Sequence, residues 1–378
     1  MQKKRLAILG STGSIGLQSL EVARHLGLEV VTLAAHSNIE LLLSQIVEFH
    51  PKLVAVFDEK KAKELKALVP YMTVVFGEEG LQEAASHPEV DLVLSAITGF
   101  AGVAPTLAAI NSGKSVALAN KEVLVAAGAL VMQKAKDMGV DIIPVDSEHS
   151  AVFQCLEHRK KEEMRRIILT ASGGPFFHHS QKDLANVTLK QSLSHPSWKM
   201  GPKITIDSST MMNKGLEVIE ASYLFDTVWS AIDVVVHPQS VIHSMVEMQD
   251  GSCFAQMSEP SMIFPIQYAI TWPHRAAGFR PPFSFIKYPK LEFFPLEKGK
   301  FICLDLAYAA LQEGGSFPCF LNAANEVLVD RFLQNQIGWL DIGYKLEKLL
   351  DRHKREIALD LEGIVAVNAM ARQEAQII

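Results

Sequence analysis

The chain has little cysteine. Cys155, Cys253, Cys303 and Cys319 are the only four among 378 residues, widely spaced and without a CxxC pair. That excludes a disulfide framework and a zinc ribbon, and suits reduced thiols in a cytoplasmic protein. There is no excess of basic charge either. Lys and Arg number 36 against 42 Asp and Glu, a formal net charge of −6. Nucleic acid and an anionic membrane surface are excluded as main partners, but a local basic pocket for a phosphorylated metabolite is not. Long apolar runs are missing as well. No stretch approaches the roughly 20 apolar residues of a membrane span. The start, MQKKRLAILG, imitates the basic head of a signal peptide, but its apolar run breaks at Gly10 and the reading is rejected. What remains is an ordinary soluble composition, 48% hydrophobic and 21% charged, in a chain long enough for two or three domains.

Residues 5–9 read as a short apolar strand, followed by GSTGSIG over residues 10–16 and a helical pattern through Leu17, Leu20, Val22 and Ala23. Strand, glycine turn and helix together make a dinucleotide site, with the pyrophosphate on the helix N-terminus. The spacing is GxxGxxG, and a turn used only for tight packing is the competing reading. The second strand, residues 29–35, ends in His36-Ser37-Asn38. No Asp or Glu stands there to bind a ribose 2′-hydroxyl, which favours NADPH over NADH. Further strands at 53–57, 73–76, 92–96 and 116–119 alternate with helical patterns. Such alternation predicts a parallel sheet with helices on both faces. Asn120-Lys121-Glu122 stands at the carboxyl end of one strand, where ligands gather, although a polar triplet there also caps a helix.

Residues 142–145 form another strand, and Asp146-Ser147-Glu148 leaves its end. Residues two apart on an extended chain point the same way, so Asp146 and Glu148 reach one cation together. A solvated pair or a helix cap is the alternative. Glu217 supplies a third carboxylate, and an oxygen-only set suits Mg²⁺ or Mn²⁺. The stretch over residues 195–217, HPSWKMGPKITIDSSTMMNKGLE, has neither helical nor strand period. It reads as a loop, a short strand over 203–207, and a polar entry into a helix that begins near Met211. Ser208, Ser209, Thr210, Asn213 and Lys214 then gather at a helix start, where free N–H groups and the dipole favour an anion. Lys214 adds a positive charge suited to phosphate. Beyond a connecting arm at 279–295, the rest is helical. Leu321, Ala324, Leu328 and Phe332 recur at helical spacing, as do Ile342, Leu346, Leu349 and Leu350. Asn322, Asn325 and Glu326, beside the first stripe, read as surface.

The 195–217 stretch closely resembles the 1-deoxy-D-xylulose 5-phosphate reductoisomerase family. So do GSTGSIG at 10–16, ALANKE at 117–122, PVDSEHSA at 144–151, LTASGGPF at 169–176 and HPQSVIHSMVE at 237–247. Motif order and spacing fit from the first strand into the last helices. The resemblance implies an α/β protein in three parts. A Rossmann-like NADPH-binding domain covers 1–146, an α/β catalytic domain 147–285, and a linker arm with a C-terminal helical bundle 286–378. It implies NADPH- and Mg²⁺- or Mn²⁺-dependent conversion of the phosphorylated deoxyketose to 2-C-methyl-D-erythritol 4-phosphate, for isoprenoid precursors.

By the same resemblance Asp146, Glu148 and Glu217 hold the metal. Lys121, Ser147, Glu148, Ser172, His195, Trp198, Ser208, Asn213, Lys214 and Glu217 meet the substrate. Thr12, Gly13, Ser14, Ile15, His36, Ser37, Asn38, Asn120, Glu122 and Gly201 meet the cofactor. Lys121, His195 and the three carboxylates are the expected catalytic group. The loop over 194–202 is the expected lid. His36 and Ser37 depart from the family's usual Gly-Lys at that turn. A cytoplasmic homodimer is implied. Two other functions stay open: an NADP-dependent aldehyde or semialdehyde dehydrogenase, and a non-catalytic NADPH-binding protein.

Overall fold

The computed structural model describes residues 4–196, 198, 200–297, 299–357 and 360–378. They form two compact units. The first holds the residues up to Val123, Val131–Ser150 and Ser261–Pro281; the second holds Leu124–Leu130, Ala151–Pro260 and Pro282–Ile378.

The strands of the first unit are β1 (Leu6–Leu9), β2 (Val30–Ala35), β3 (Leu53–Val56), β4 (Thr73–Phe76), β5 (Leu92–Ser95), β6 (Ser115–Leu118) and β7 (Ile142–Pro144). The helices between them are α1 (Ser14–Leu26), α2 (Ile39–Phe49), α3 (Glu59–Leu68), α4 (Gly77–Ser86), α5 (Val103–Asn111) and α6 (Lys121–Met138). All strand pairs are parallel, in the order β4-β3-β2-β1-β5-β6-β7. The chain therefore starts mid-sheet, winds to one edge, and returns to build the other. The order reverses between β1 and β5, which makes their carboxyl ends the binding crevice of a doubly wound sheet. Every residue of β1, β2, β3 and β5 is buried. Strands buried on both faces, and apolar apart from Thr32 and Ser95, need helices on both sides of the sheet. Asn38, Asp58 and Asn120 cap α2, α3 and α6, each accepting a backbone N–H from three residues on. The expected Rossmann-like α/β architecture is borne out.

The second unit has a smaller mixed sheet, β8 (Met164–Ala171), β9 (Ile232–Val236), β10 (Ile242–Met248) and β11 (Cys253–Met257), in the order β11-β10-β8-β9. Its helices include α7 (Ser147–Leu156, which begins in the first unit), α8 (Gln181–Leu184), α9 (Leu189–Ser192), α10 (Pro202–Ser209) and α11 (Met212–Leu224). Val152 and Cys155 of α7, and Val218 and Ala221 of α11, share one core with Ile167, Leu169 and Val246 of the sheet. The chain then returns to the first unit, where α12 (Ile263–Thr271) packs against α1. It ends in the second unit with α13 (Ile302–Glu313), α14 (Phe317–Leu333), α15 (Trp339–Leu350) and α16 (Leu361–Ile377). The expected stripes are the buried faces of α14 and α15. Among the described residues, no helix is long and apolar enough to cross a membrane.

Three local expectations are corrected. Residues 203–207 form no strand but lie in α10. Pro202, pre-set for helical φ, opens it, and Lys203 pairs with Asp207 one turn on at 2.8 Å. Ser208 and Ser209 therefore end a helix instead of opening one. Next, Asp146 and Glu148 are not two apart on a strand, because Ser147 opens α7 and Glu148 sits in its first turn. A carboxylate there meets the positive end of the helix dipole. Finally, Asn322 and Asn325 are fully buried, not surface.

Candidate active site

In the first unit, the glycine turn leaves β1 at the switch point. Gly10 has φ +87°, and a Cβ there would lie 2.5 Å from the carbonyl oxygen of Ala96, beyond the end of β5. A Cβ on Gly16 would collide with the Gly10 carbonyl. These glycines let α1 begin tight against the sheet. Thr12 to Ile15 are accessible, and no side chain caps α1. Its first N–H groups thus suit a pyrophosphate. His36 and Ser37, after β2, are exposed; the His36 ring stacks on Phe57 at 5.2 Å. Asn38 is the cap of α2, accepting from the Leu41 N–H at 3.1 Å.

Neighbouring strands β6 and β7 deliver the next group. Leu118 pairs with Pro144, so Lys121 and Asp146 emerge from the same sheet edge. Lys121 Nζ lies 2.5 Å from Asp146 Oδ2, with both side chains largely buried. Ser147 Oγ donates to Glu148 Oε2 at 2.5 Å. Asn120 is buried and heavily committed. Its amide donates to the carbonyls of Ile97 and Gly99, and its oxygen accepts from Val123 N–H. It ties the β5 loop to the start of α6.

In the second unit, Ser172 follows β8 in a turn whose Gly173 and Gly174 have φ +86° and +64°. A Cβ on Gly174 would lie 2.7 Å from the Ser208 carbonyl, so only glycine lets this turn approach α10. His195 Nδ1 accepts the Trp198 N–H at 2.9 Å. The ring proton therefore sits on Nε2, which donates to Ser172 Oγ at 3.1 Å. Burial pushes the His195 imidazole down to about 4. Burial likewise brings His243 to about 4. Its Nε2 lies 2.9 Å from Ser258 Oγ, and its ring meets Trp198 edge-on at 6.4 Å. Ser197 and Lys199 of the expected lid lie outside the described residues. Gly201 caps α10 and is exposed.

Between α10 and α11, Met211 takes φ +62°, a conformation that costs energy for a residue with a Cβ. This turn brings Asn213 and Lys214 into the first turn of α11, with Glu217 one turn further. Asn213 Nδ2 and Lys214 Nζ both donate to the Glu217 carboxylate. Lys214 and Glu217 are buried. Each unit thus holds a largely buried lysine against a carboxylate. The candidate metal donors are carboxylate oxygens without a sulfur among them, which fits a hard divalent cation. The sequence does not single out Asp207 or Trp339, and Asn325, though named, reads there as surface; its amide beside the apolar stripe of α14 was the available signal.

Residues 6–128 match the family model described as 1-deoxy-D-xylulose 5-phosphate reductoisomerase. Residues 142–225 and 257–374 match models of its C-terminal domains. The reductoisomerase of Protochlamydia amoebophila is 56% identical over 374 residues, covering 98% of this chain and 97% of that one. That of Chlamydia trachomatis is 48% identical over 376 residues, 99% of each. The Zymomonas mobilis enzyme, solved in complex with NADPH, superposes with a TM-score of 0.93 at 41% identity, covering 99% of this chain and 98% of that one. A reductoisomerase solved with NADPH, fosmidomycin and magnesium gives 0.91 at 38% identity, covering 99% and 97%. The chain belongs to the 1-deoxy-D-xylulose 5-phosphate reductoisomerase family.

Proposed function

We propose that this chain rearranges and reduces 1-deoxy-D-xylulose 5-phosphate to 2-C-methyl-D-erythritol 4-phosphate, with NADPH and a divalent metal. What supports this reading is the pairing of buried lysines with carboxylates: Lys121 with Asp146, and Lys214 with Glu217. An enzyme that only passed hydride to an aldehyde would not need Asp146, Glu148 and Glu217 together.

Asp146, Glu148 and Glu217 are assigned to one Mg²⁺ or Mn²⁺. When bound, the ion supplies Lewis acidity to the substrate's carbonyl and hydroxyl oxygens, and NADPH supplies the hydride. Lys121 fixes the Asp146 carboxylate and hydrogen-bonds a substrate hydroxyl. Ser147 steadies Glu148. Ser172, His195, Ser208, Asn213 and Lys214 hold the phosphate, with His195 as a neutral Nε2–H donor. Trp198 covers the substrate and excludes water. Thr12, Gly13, Ser14 and Ile15 take the pyrophosphate. His36, Ser37 and Asn38 take the 2′-phosphate. Asn120, Glu122 and Gly201 border the nicotinamide.

The proposed functional division is 1–146, 147–285 and 286–378, although Ser261–Pro281 belong to the first compact unit. The protein acts in the cytoplasm as a homodimer. Edge strand β11, with Cys253, Phe254 and Ala255 exposed, offers a surface for the second copy.

The test is NADPH oxidation with the deoxyxylulose phosphate, with and without Mn²⁺ or Mg²⁺. Turnover that requires both substrate and ion supports the reading. Turnover that survives chelation favours the simple dehydrogenase, and NADPH binding without turnover favours the non-catalytic protein.

A further inference from the structure

Ser208 is one of the proposed phosphate ligands, and its helix is gripped on both sides of it. Asp207 is buried, and its carboxylate takes Lys203 Nζ at 2.8 Å and Asn325 Nδ2 at 2.9 Å. Ser209 is buried too, and its hydroxyl accepts the indole N–H of Trp339 at 2.9 Å while donating to Ile206 O at 2.7 Å. Successive helical residues project about 100° apart. Anchors at 207 and 209 therefore fix the rotation of α10 and leave Ser208, half-buried, facing a single direction.

Trp339 does more than hold Ser209. Its ring meets Phe176 edge-on at 5.4 Å, with the planes at 86°. Phe176 closes the turn that carries Ser172 and Gly174, and Gly174 lies against the Ser208 carbonyl. One indole from α15 thus touches both strips of chain that supply hydroxyls to the phosphate. Asn325 of α14 holds the same helix from the next residue.

We infer that Asn325 and Trp339 are positioning residues for phosphate recognition, acting through α10 and the Ser172 turn. The C-terminal helices set the spacing of the Ser172 and Ser208 hydroxyls. This inference rests on the phosphate assignment proposed above. It gives a role to the Asn325 amide and the Trp339 indole N–H among the buried residues of α14 and α15. Packing alone would be served by Leu and Phe there. A phosphate needs donors at fixed separation, and a helix free to roll by a fraction of a turn would misplace one of them.

The experiment uses the full-length enzyme with Mg²⁺ and NADPH. Trp339→Phe keeps the ring and removes the N–H; Asn325→Ala removes the amide; Ser208→Ala removes the hydroxyl. KM for the deoxyxylulose phosphate and inhibition by inorganic phosphate are measured for each, beside KM for NADPH. Trp339→Phe and Asn325→Ala should each weaken both phosphate-dependent constants roughly 3- to 10-fold, as for one lost hydrogen bond, and leave KM for NADPH in place. In the Ser208→Ala background, Trp339→Phe should add little, because it acts through that hydroxyl. Unchanged constants in Trp339→Phe, with a clear loss in Ser208→Ala, overturn the inference and spare the phosphate assignment. Full additivity of the two also overturns it. No loss in Ser208→Ala overturns the assignment itself. If Asn325→Ala does not fold, Trp339→Phe decides alone.

Discussion

Replacing Glu217 by Gln removes one charge from the middle of α11 and keeps the side chain's shape. Lys214 then loses the carboxylate it pairs with, in a place where the two side chains are 4% and 1% exposed. Gln still offers an oxygen to Asn213, but its amide presents N–H groups toward the ammonium. Breaking a buried pair from one side costs about 3–5 kcal/mol. For a folding unit of roughly 150–250 residues, each kcal/mol moves the melting temperature about 2–4 °C. The Glu217→Gln protein should therefore melt about 6–20 °C lower, by calorimetry in EDTA without phosphate. Inorganic phosphate should restore part of the loss by supplying Lys214 with a new anion. The double variant Lys214→Met with Glu217→Leu should lose far less than Glu217→Gln alone, since both charges of the pair are removed together. A drop of under about 2 °C in the single variant would mean that the pair is effectively solvated, and the electrostatic argument would fail. So would a double variant as unstable as the single one.

Three further outcomes are expected. Gly16→Ala puts a methyl into the backbone of the glycine turn, and should weaken NADPH binding by roughly tenfold or more and destabilise the fold by about 1–3 kcal/mol; equilibrium fluorescence titration that finds wild-type affinity would refute the turn's role. His195 stays neutral to about pH 4, so the folded state resists a proton that the unfolded state takes near 6.5. Its stabilising effect is complete above 6.5 and is lost as pH falls toward 4. A ring-proton NMR titration with a midpoint near 6.5, or a proton found on Nδ1, would contradict that environment. His36→Lys adds a permanent cation beside the exposed end of β2 and should raise the preference for NADPH over NADH; an unchanged ratio of kcat/KM values would remove residues 36–38 from 2′-phosphate recognition.

Much of the first unit was legible because its signals are local. A fully buried parallel strand is mostly apolar, with few polar exceptions such as Thr32 and Ser95, and a turn that packs backbone on backbone must be glycine. The stripes of α14 and α15 were legible for the same reason. The errors arose where local and distant forces compete. Lys-Ile-Thr-Ile-Asp alternates like a strand, yet Pro202 and the Lys203–Asp207 pair settle it as a helix. Asn325 reads as superficial in the sequence because its partner, Asp207, lies 118 residues away. The return of Ser261–Pro281 to the first unit leaves no mark in composition. For the candidate site, residue type pointed to the chemistry, but which lysine holds which carboxylate came only from the fold.

The central claim is that three carboxylates share one cation. Manganese anomalous scattering from crystals grown with Mn²⁺ and NADPH tests it directly. The account predicts a single strong peak with oxygens of Asp146, Glu148 and Glu217 about 2.0–2.3 Å from it. A peak that lacks Glu217, or manganese bound at two separate places by these residues, would contradict it.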